Sequence, residues 1–239
     1  MSARTITLLQ LYPMEMNIYG DWGNVLVLKK RLEWRGFTVN PLQHHPGASF
    51  PKDVDLVVGG GGQDSGQDKI KNDLQAIAPF LHTLADDNVP MLMICGLYQL
   101  FGRFFQPLDG PRIKGIGIFK AETTAGPTRL IGNITLRTNF GEIIGYENHS
   151  GLTVLDASQP SLGKVTSGSG NNGRDKREGA VYKNVIGSYL HGSLLPKNPQ
   201  LADHLITQAV SKKYGELGLA PIDDPYVDAA RRAAKKRPR

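Results

Sequence analysis

The chain has 239 residues, 40% hydrophobic and 21% charged, which is ordinary for a globular protein and enough for one domain with a sizeable core. Its formal net charge of +6 comes from the C-terminal end, because six of the 28 Lys and Arg residues lie in the last nine positions and the other 22 equal the 22 Asp and Glu in number. The neutral body disfavours nucleic-acid binding, and the single cysteine excludes an internal disulfide framework.

The first half of the chain alternates between strand patterns and helix patterns. Apolar, β-branched runs predict strands at 5–11, 37–42, 55–58 and 89–94. Apolar residues three and four apart predict helices at 25–35, 70–81 and 97–104. We expect Pro79 to kink or shorten the second helix. This alternation predicts an α/β fold with a doubly wound, mostly parallel sheet flanked by helices.

The second half changes character. Short strands joined by Gly- and Asn-containing turns are predicted at 115–120, 129–137 and 141–146, and they indicate an antiparallel extension of the fold. Residues 167–173 are rich in Gly, Ser and Asn and predict a flexible loop. A further strand at 185–190 and a helix around 201–209 complete the pattern.

The ends of the chain bear on its location. The N-terminal segment has no cleavage-site pattern, no apolar run is long enough to cross a bilayer, and one free cysteine is typical of a reducing compartment. We therefore expect a cytoplasmic protein with one domain at 1–225. Residues 226–239 are expected to form a flexible basic tail, and contact with anionic lipid at the inner membrane face is the alternative to a simple solvated arm.

Three chemically distinctive features fall where predicted strands end. They are the glycine run Gly59–Gly62, Cys95 and His191. Functional groups of open parallel sheets gather at the carboxyl ends of strands, so we expect the fold to bring these features together.

Cys95 stands between an apolar strand and a helix, which is the position of a nucleophile elbow. The helix N-terminus and a nearby histidine would favour a thiolate. The N–H of Gly96, with a second N–H from Gly61 or Gly62, would stabilise an oxyanion. The alternative is that Cys95 is a small buried residue at a strand end.

His191 is the candidate general base for Cys95, and a purely structural histidine is the alternative. His149 competes for the role, although its neighbours favour a structural or site-lining position. No spacing of His, Cys, Asp and Glu is typical of a metal site, so none is expected.

The motifs GGGG, ICGLYQ and YLHG, in this order, resemble the class I glutamine amidotransferases of the branch related to cobyric acid synthase. The resemblance is greatest to the glutaminase subunits of lipid II isoglutaminyl synthases, through NIYGDWGN, VVGGGGQD, TRLIGNI, GYENHSG, SGNNG and YKNVIGSYLHGSLLPKN, and it covers nearly the whole chain. It implies that Cys95 attacks the side-chain amide of L-glutamine. Ammonia then leaves, and water hydrolyses the γ-glutamyl thioester with His191 as base.

The resemblance also implies that Arg129 holds the substrate, since a guanidinium can grip an α-carboxylate with two parallel hydrogen bonds. Gln99 and Tyr98 lie one turn past the nucleophile and are expected to line the glutamine pocket, with ordinary helix packing as the alternative.

Two positions depart from the usual catalytic motifs of the class I glutamine amidotransferases. Ser193 stands where the triad would have a glutamate, so either a Cys–His dyad suffices or another residue completes the triad. We hypothesise that a carboxylate from a partner subunit orients His191. Leu97 stands where a second glycine is common, and its side chain must pack away from the oxyanion site.

The chain contains no GxxxxGK[ST] motif, so ATP and Mg²⁺ are expected on a partner and no cofactor on this chain. The resemblance implies that this partner is a Mur-ligase-like synthetase subunit. Together the two would amidate the D-glutamate of lipid II to D-isoglutamine for peptidoglycan synthesis. The alternatives are a cobyrinate-type or other acceptor, or a non-catalytic binding module of the same fold.

Overall fold

The computed structural model describes residues 4–191 and 193–236. The strands are β1 (Thr5–Leu11), β2 (Thr38–His44), β3 (Leu56–Gly59), β4 (Met91–Ile94), β5 (Phe104–Gln106), β6 (Ile113–Lys114), β7 (Ala121–Thr138), β8 (Gly141–Leu155), β9 (Gly163–Ser167), β10 (Arg177–Glu178), β11 (Ala180–Tyr182), β12 (Val185–Ser188) and β13 (Leu190–His191). The helices are α1 (Trp22–Glu33), α2 (Asp64–Asp86), α3 (Gly96–Phe101), α4 (Pro199–Tyr214) and α5 (Pro225–Lys235), with a 3-10 helix at Leu195–Lys197.

The central sheet has the strand order β11-β12-β4-β3-β1-β2. Its strands run parallel except β11, which pairs antiparallel with β12. All residues of β3, β4 and β12 are buried, as expected of parallel strands covered on both faces. The chain changes direction across the sheet at β1 and β3, and the loops after such a pair of strands form a crevice suited to a ligand.

A second, mostly antiparallel sheet carries the remaining strands. The long strands β7 and β8 pair with each other, and an irregularity between Ala125 and Leu130 interrupts their register. The short strand β13 pairs with β8, so that His191 lies opposite Tyr146. The predicted antiparallel part is therefore present, but it is a sheet of its own with much longer strands than the local pattern indicated.

Two predicted helices differ from the observed ones in where they end. Helix α2 runs through Pro79 to Asp86, so the expected shortening is wrong. Pro79 is exposed, where water can replace the hydrogen bond that a proline cannot make. Helix α3 ends at Phe101 and Phe104 begins β5, because a periodic apolar pattern does not distinguish a helix from a buried strand that follows it.

The loop predicted as flexible is packed against the body. The side chain of Asn171 is fully buried, accepts hydrogen bonds from the Tyr98 hydroxyl (3.0 Å) and the Gly179 N–H (2.9 Å), and donates one to the Gly179 carbonyl (3.1 Å). The N–H groups of Ser169 and Gly170 donate to the Glu147 carboxylate at 2.7 and 2.8 Å.

The basic segment at the C-terminus is described as far as residue 236, and the last three residues lie outside the described part. Helix α5 occupies most of it. Arg231 donates to the carbonyls of Lys197 and Glu142, and Lys235 forms an ion pair with the Glu142 carboxylate. In the described part of the chain, no helix combines the length and the apolar character needed to cross a membrane.

Candidate active site

Cys95 occupies a sharp turn between β4 and α3. Its backbone has φ 49° and ψ −99°, a region that residues with a Cβ seldom adopt and that costs about 1–3 kcal/mol. Its N–H donates to the Ser188 carbonyl at 2.8 Å, which ties the turn to the end of β12. The side chain is 8% exposed. This is the geometry of a nucleophile elbow, in which a strained turn presents a side chain at the carboxyl edge of a sheet.

The glycine run lies against the side chains of both Cys95 and His191. A Cβ on Gly61 would lie 2.7 Å from Cε1 of His191 and 3.1 Å from Cβ of Cys95. A Cβ on Gly60 would lie 2.1 Å from the Met16 carbonyl oxygen. Only glycine therefore permits this close approach, which brings the cysteine, the histidine and the loop after β1 together.

Two N–H groups are available for an oxyanion. The Gly61 N–H donates to Oδ2 of Asp21 at 2.8 Å, so Gly62 is the member of the predicted pair whose N–H remains for an oxyanion. The Gly62 nitrogen lies 3.1 Å from where a Cβ of Gly96 would be. Neither the Gly62 nor the Gly96 N–H donates to another group within the described residues. Gly61 is therefore not the second oxyanion donor, because the buried Asp21 carboxylate already accepts its N–H.

Leu97 packs away from these N–H groups, as expected. Its side chain is fully buried, and a Cβ on Gly59 would lie 2.3 Å from its Cδ1.

His191 is held at the end of β13 with its side chain only 1% exposed. The Tyr19 ring meets the imidazole edge-on, with 4.5 Å between ring centroids. Burial lowers the pKa of His191, but the negative charges of Cys95 and Asp21 outweigh it and raise the pKa to about 10. The imidazolium of His191 therefore lies beside the Cys95 side chain at neutral pH. Gly192, the last residue of the YLHG motif, lies outside the described residues.

The structure also brings in an acid of this chain that the sequence analysis missed. Oδ1 of Asp21 lies 3.9 Å from Nδ1 of His191. Ser193, at the position where the familiar triad has a glutamate, donates from its hydroxyl to the Gly20 carbonyl at 2.7 Å and so holds the loop that carries Asp21. The motif NIYGDWGN contained the signal, but nothing in its spacing distinguished Asp21 from an ordinary loop aspartate.

Cys95 opens into a cavity of about 440 Å³. Its lining includes Gly62, Gln99, Arg129 and Asn148. Arg129 lies in β7 at the irregularity of the hairpin, where its Nε and Nη2 donate to the side-chain and backbone oxygens of Asn148, both at 2.8 Å. The cavity thus has the sulfur of Cys95 at one side and the guanidinium of Arg129 at another, which suits a ligand that carries both an amide and a carboxylate.

Gln99 and Tyr98 differ in their positions. Gln99 lines the cavity, but its amide is engaged by Gln67 (2.7 Å) and by the Tyr189 hydroxyl (3.2 Å). Tyr98 was also expected to line the cavity, but it is buried in the core, where its hydroxyl donates to Asn171.

His149 forms part of the cavity wall and is not suited to be the base. Its ring stacks on Tyr189 with 3.6 Å between centroids, and its Nδ1 donates to the Gly151 carbonyl at 2.7 Å. Burial lowers the pKa of His149 to about 3. It therefore stays neutral at a pH where His191 is charged. No group of three His, Cys, Asp or Glu side chains in the described ranges is placed to hold a metal ion.

Residues 7–199 match the CobB/CobQ-like glutamine amidotransferase domain. The chain belongs to this family. The predicted family is thereby confirmed, and the elbow at Cys95 is part of a glutamine amidotransferase.

Two relatives of this amidotransferase match it over most of their length. It is 37% identical over 211 residues to the lipid II isoglutaminyl synthase (glutamine-hydrolyzing) subunit GatD of Staphylococcus aureus, covering 87% of this chain and 86% of that protein. It is 39% identical over 217 residues to the subunit of the same name from Streptococcus pneumoniae, covering 88% of this chain and 83% of that protein.

A solved structure shares the fold of the amidotransferase. A chain in the structure of PurLQS from Thermotoga maritima superimposes with a TM-score of 0.58 at 15% sequence identity, and the match covers 88% of this chain and 99% of that chain. The predicted α/β fold class is confirmed.

Proposed function

We propose that this chain is the glutaminase subunit of a lipid II isoglutaminyl synthase, hydrolysing L-glutamine and passing the ammonia to a synthetase partner. Glutamine hydrolysis is supported above all by the Cys95 elbow, which faces the cavity beside His191 and two adjacent N–H groups. The transfer of ammonia to a synthetase partner is supported by the two relatives that are named as subunits of that synthase.

The proposed reaction uses Cys95 as the nucleophile and His191 as the group that carries the proton. The thiolate attacks the carbonyl carbon of the glutamine side-chain amide, and the N–H groups of Gly62 and Gly96 stabilise the oxyanion. The His191 imidazolium gives its proton to the leaving nitrogen, so that ammonia departs and a γ-glutamyl thioester remains. Neutral His191 then takes a proton from water, the hydroxide attacks the thioester, and glutamate and the thiolate are released.

Arg129 binds the α-carboxylate of glutamine in this proposal. Its position is set by Asn148, whose two oxygens hold Nε and Nη2 in place. A planar guanidinium fixed in this way can present parallel N–H groups to a carboxylate at little further entropic cost.

The synthetase partner would bind ATP and Mg²⁺, activate the α-carboxyl of the D-glutamate in lipid II and receive the ammonia. It is expected to be Mur-ligase-like. A cobyrinate-type acceptor is the alternative, and the choice of acceptor rests with the partner because the glutaminase chemistry is the same for both.

The acceptor determines where we expect the complex to be located in the cell, because lipid II is membrane-bound. We expect the complex at the inner face of the membrane, aided by the basic residues of the C-terminal segment. Truncation after residue 230 should weaken binding to vesicles that contain anionic lipid, measured by sedimentation against neutral vesicles. Unchanged binding contradicts this role.

The function is tested by ammonia release from L-glutamine, with and without the co-expressed synthetase subunit. We expect glutamate and ammonia in equal amounts from the wild type and none from Cys95→Ala. The complete complex should convert lipid II to its amidated form, followed by mass spectrometry. Absence of ammonia release from both wild-type samples contradicts the glutaminase assignment, and release without lipid II amidation contradicts the acceptor alone.

A further inference from the structure

Two buried polar atoms face each other behind the catalytic cysteine. Oδ1 of Asp21 and Nδ1 of His191 are 3.9 Å apart, and the two side chains are 2% and 1% exposed. Neither atom has a hydrogen-bond partner within the described residues. A buried polar atom without a partner costs about 1–3 kcal/mol, so each of these atoms has in the other the natural partner for a hydrogen bond.

The other oxygen of Asp21 is firmly placed. Oδ2 accepts the Gly61 N–H at 2.8 Å, and a Cβ on Gly60 would lie 2.8 Å from Cβ of Asp21. The carboxylate is therefore bonded to the glycine run that presents the Gly62 N–H, with its free oxygen turned toward His191.

The segment that carries Asp21 is held at several points. The Ile18 N–H donates to the Gly61 carbonyl at 3.0 Å, and the Trp22 N–H donates to Oδ1 of Asn17 at 2.9 Å. On the opposite side, Ser193 donates to Gly20. These contacts position Asp21 in the folded chain without help from another subunit.

We propose that Asp21 is the positioning residue of the glutaminase site. It accepts a hydrogen bond from Nδ1–H of His191 when the two side chains close by about 1 Å. That bond fixes the tautomer and ring orientation that leave Nε2 to exchange protons with Cys95 and the leaving ammonia. A carboxylate supplied by the partner subunit is the competing explanation. The proposal rests on the proposed glutamine hydrolysis.

The groups around His191 leave Asp21 as its natural acid partner. Cys95 supplies the other negative charge. The neighbouring imidazole of His149 is neutral because burial keeps its pKa low. Lys197 lies on the backbone side, where its Nζ donates to the His191 carbonyl at 3.4 Å.

The test compares Asp21→Asn and Asp21→Glu with the wild type, alone and with the synthetase subunit. In a Ser-His-Asp triad the Asp-to-Asn change lowers kcat about 10⁴-fold by favouring the wrong tautomer. For Asp21→Asn we expect kcat to fall at least about 100-fold with KM changed less than about threefold, in both samples. Asp21→Glu should recover part of the loss because it restores the carboxylate.

Asp73→Asn is the matched control. Asp73 likewise joins a histidine and a glycine N–H, with contacts of 2.8 Å to Nε2 of His44 and 2.7 Å to the Gly47 nitrogen. It lies outside the cavity of Cys95, so this change should lower stability and leave kcat unchanged. An equal loss of kcat in both variants would mean that Asp21 is merely structural.

A second measurement does not use glutamine. Asp21→Asn should lower the ratio of iodoacetamide alkylation rates of Cys95 at pH 6 and pH 9 about tenfold, because the imidazolium that stabilises the thiolate is weakened. If glutamine turnover is absent but this ratio falls, the proposed function fails and the positioning role stands.

The wild type gives a third test that does not depend on the variant folding. Nitrogen-15 spectra of His191 should show a proton on Nδ1 throughout the active pH range. A deprotonated Nδ1, or a kcat for the isolated Asp21→Asn chain within about threefold of the wild type, overturns the proposal. Loss of kcat in the isolated Asp21→Asn chain that is fully recovered in the complex would assign the role to the partner's carboxylate.

Discussion

Replacing Glu178 by glutamine should stabilise the protein at neutral and alkaline pH. Glu178 is fully buried beside the end of β12, where its Oε1 accepts hydrogen bonds from the Ser188 hydroxyl and the Tyr189 N–H, both at 2.8 Å. Its Oε2 has no partner within the described residues. Burial, aided by the charge of Glu147, raises the pKa of Glu178 to about 7.

The sign and size of the effect follow from proton linkage. An unfolded glutamate ionises near 4.5, whereas folded Glu178 keeps its proton up to about 7. Its contribution to stability is complete below pH 4.5 and is lost as the pH rises to 7, where the folded state must hold a buried charge. At ~1.4 kcal/mol per pH unit, the loss is roughly 3 kcal/mol.

Glutamine keeps an oxygen for Ser188 and Tyr189 and carries no charge. Urea unfolding should therefore show Glu178→Gln more stable than the wild type by about 2–3 kcal/mol at pH 8 and by under about 1 kcal/mol at pH 5. Glu216→Gln, at an exposed glutamate, is the control and should show no such dependence. The reasoning would be refuted if the difference in free energy of unfolding between Glu178→Gln and the wild type were the same at pH 5 and pH 8. It would also be refuted if Glu178→Gln were less stable than the wild type at pH 8.

Two further changes test the site directly. Gly61→Ala should lower kcat at least about 100-fold, because the new methyl would lie 2.7 Å from His191 and 3.1 Å from Cys95 and must separate these two side chains. Gly218→Ala is the control and should leave kcat unchanged, because a Cβ at this position meets open space. Arg129→Lys should raise KM for L-glutamine about 10- to 100-fold in steady-state assays with little change in kcat, because lysine cannot form two parallel hydrogen bonds to a carboxylate. An unchanged KM would contradict the role of Arg129 in binding the α-carboxylate.

The general architecture was accessible from the sequence because it depends on local patterns. The strand β1 was predicted with the bounds that the structure shows. The periodic residues of α2 are buried along one face, as their spacing indicated. The ends of elements were less certain, as at Pro79 and Phe104, because tertiary packing decides where an apolar run stops being helical.

The proximity of Cys95 and His191 was also accessible, since each lies at the end of an apolar strand pattern and parallel strands end at a common edge. What sequence reasoning could not do was assign the Gly61 N–H. Its hydrogen bond goes to a carboxylate that lies 40 residues earlier in the chain. No local pattern contains that contact, because it exists only after β1 and β3 pair.

The sequence by itself therefore determined the α/β class and the family motifs, and it singled out Cys95 and His191 as the candidate nucleophile and base, because all of these are encoded in residue types at short spacing. Only the tertiary structure decided that Asp21 lies beside His191 and that the Gly62 N–H remains for the oxyanion. A lone aspartate in a polar loop has no periodic signature, and its partner is chosen by which loops the sheet brings to the same edge.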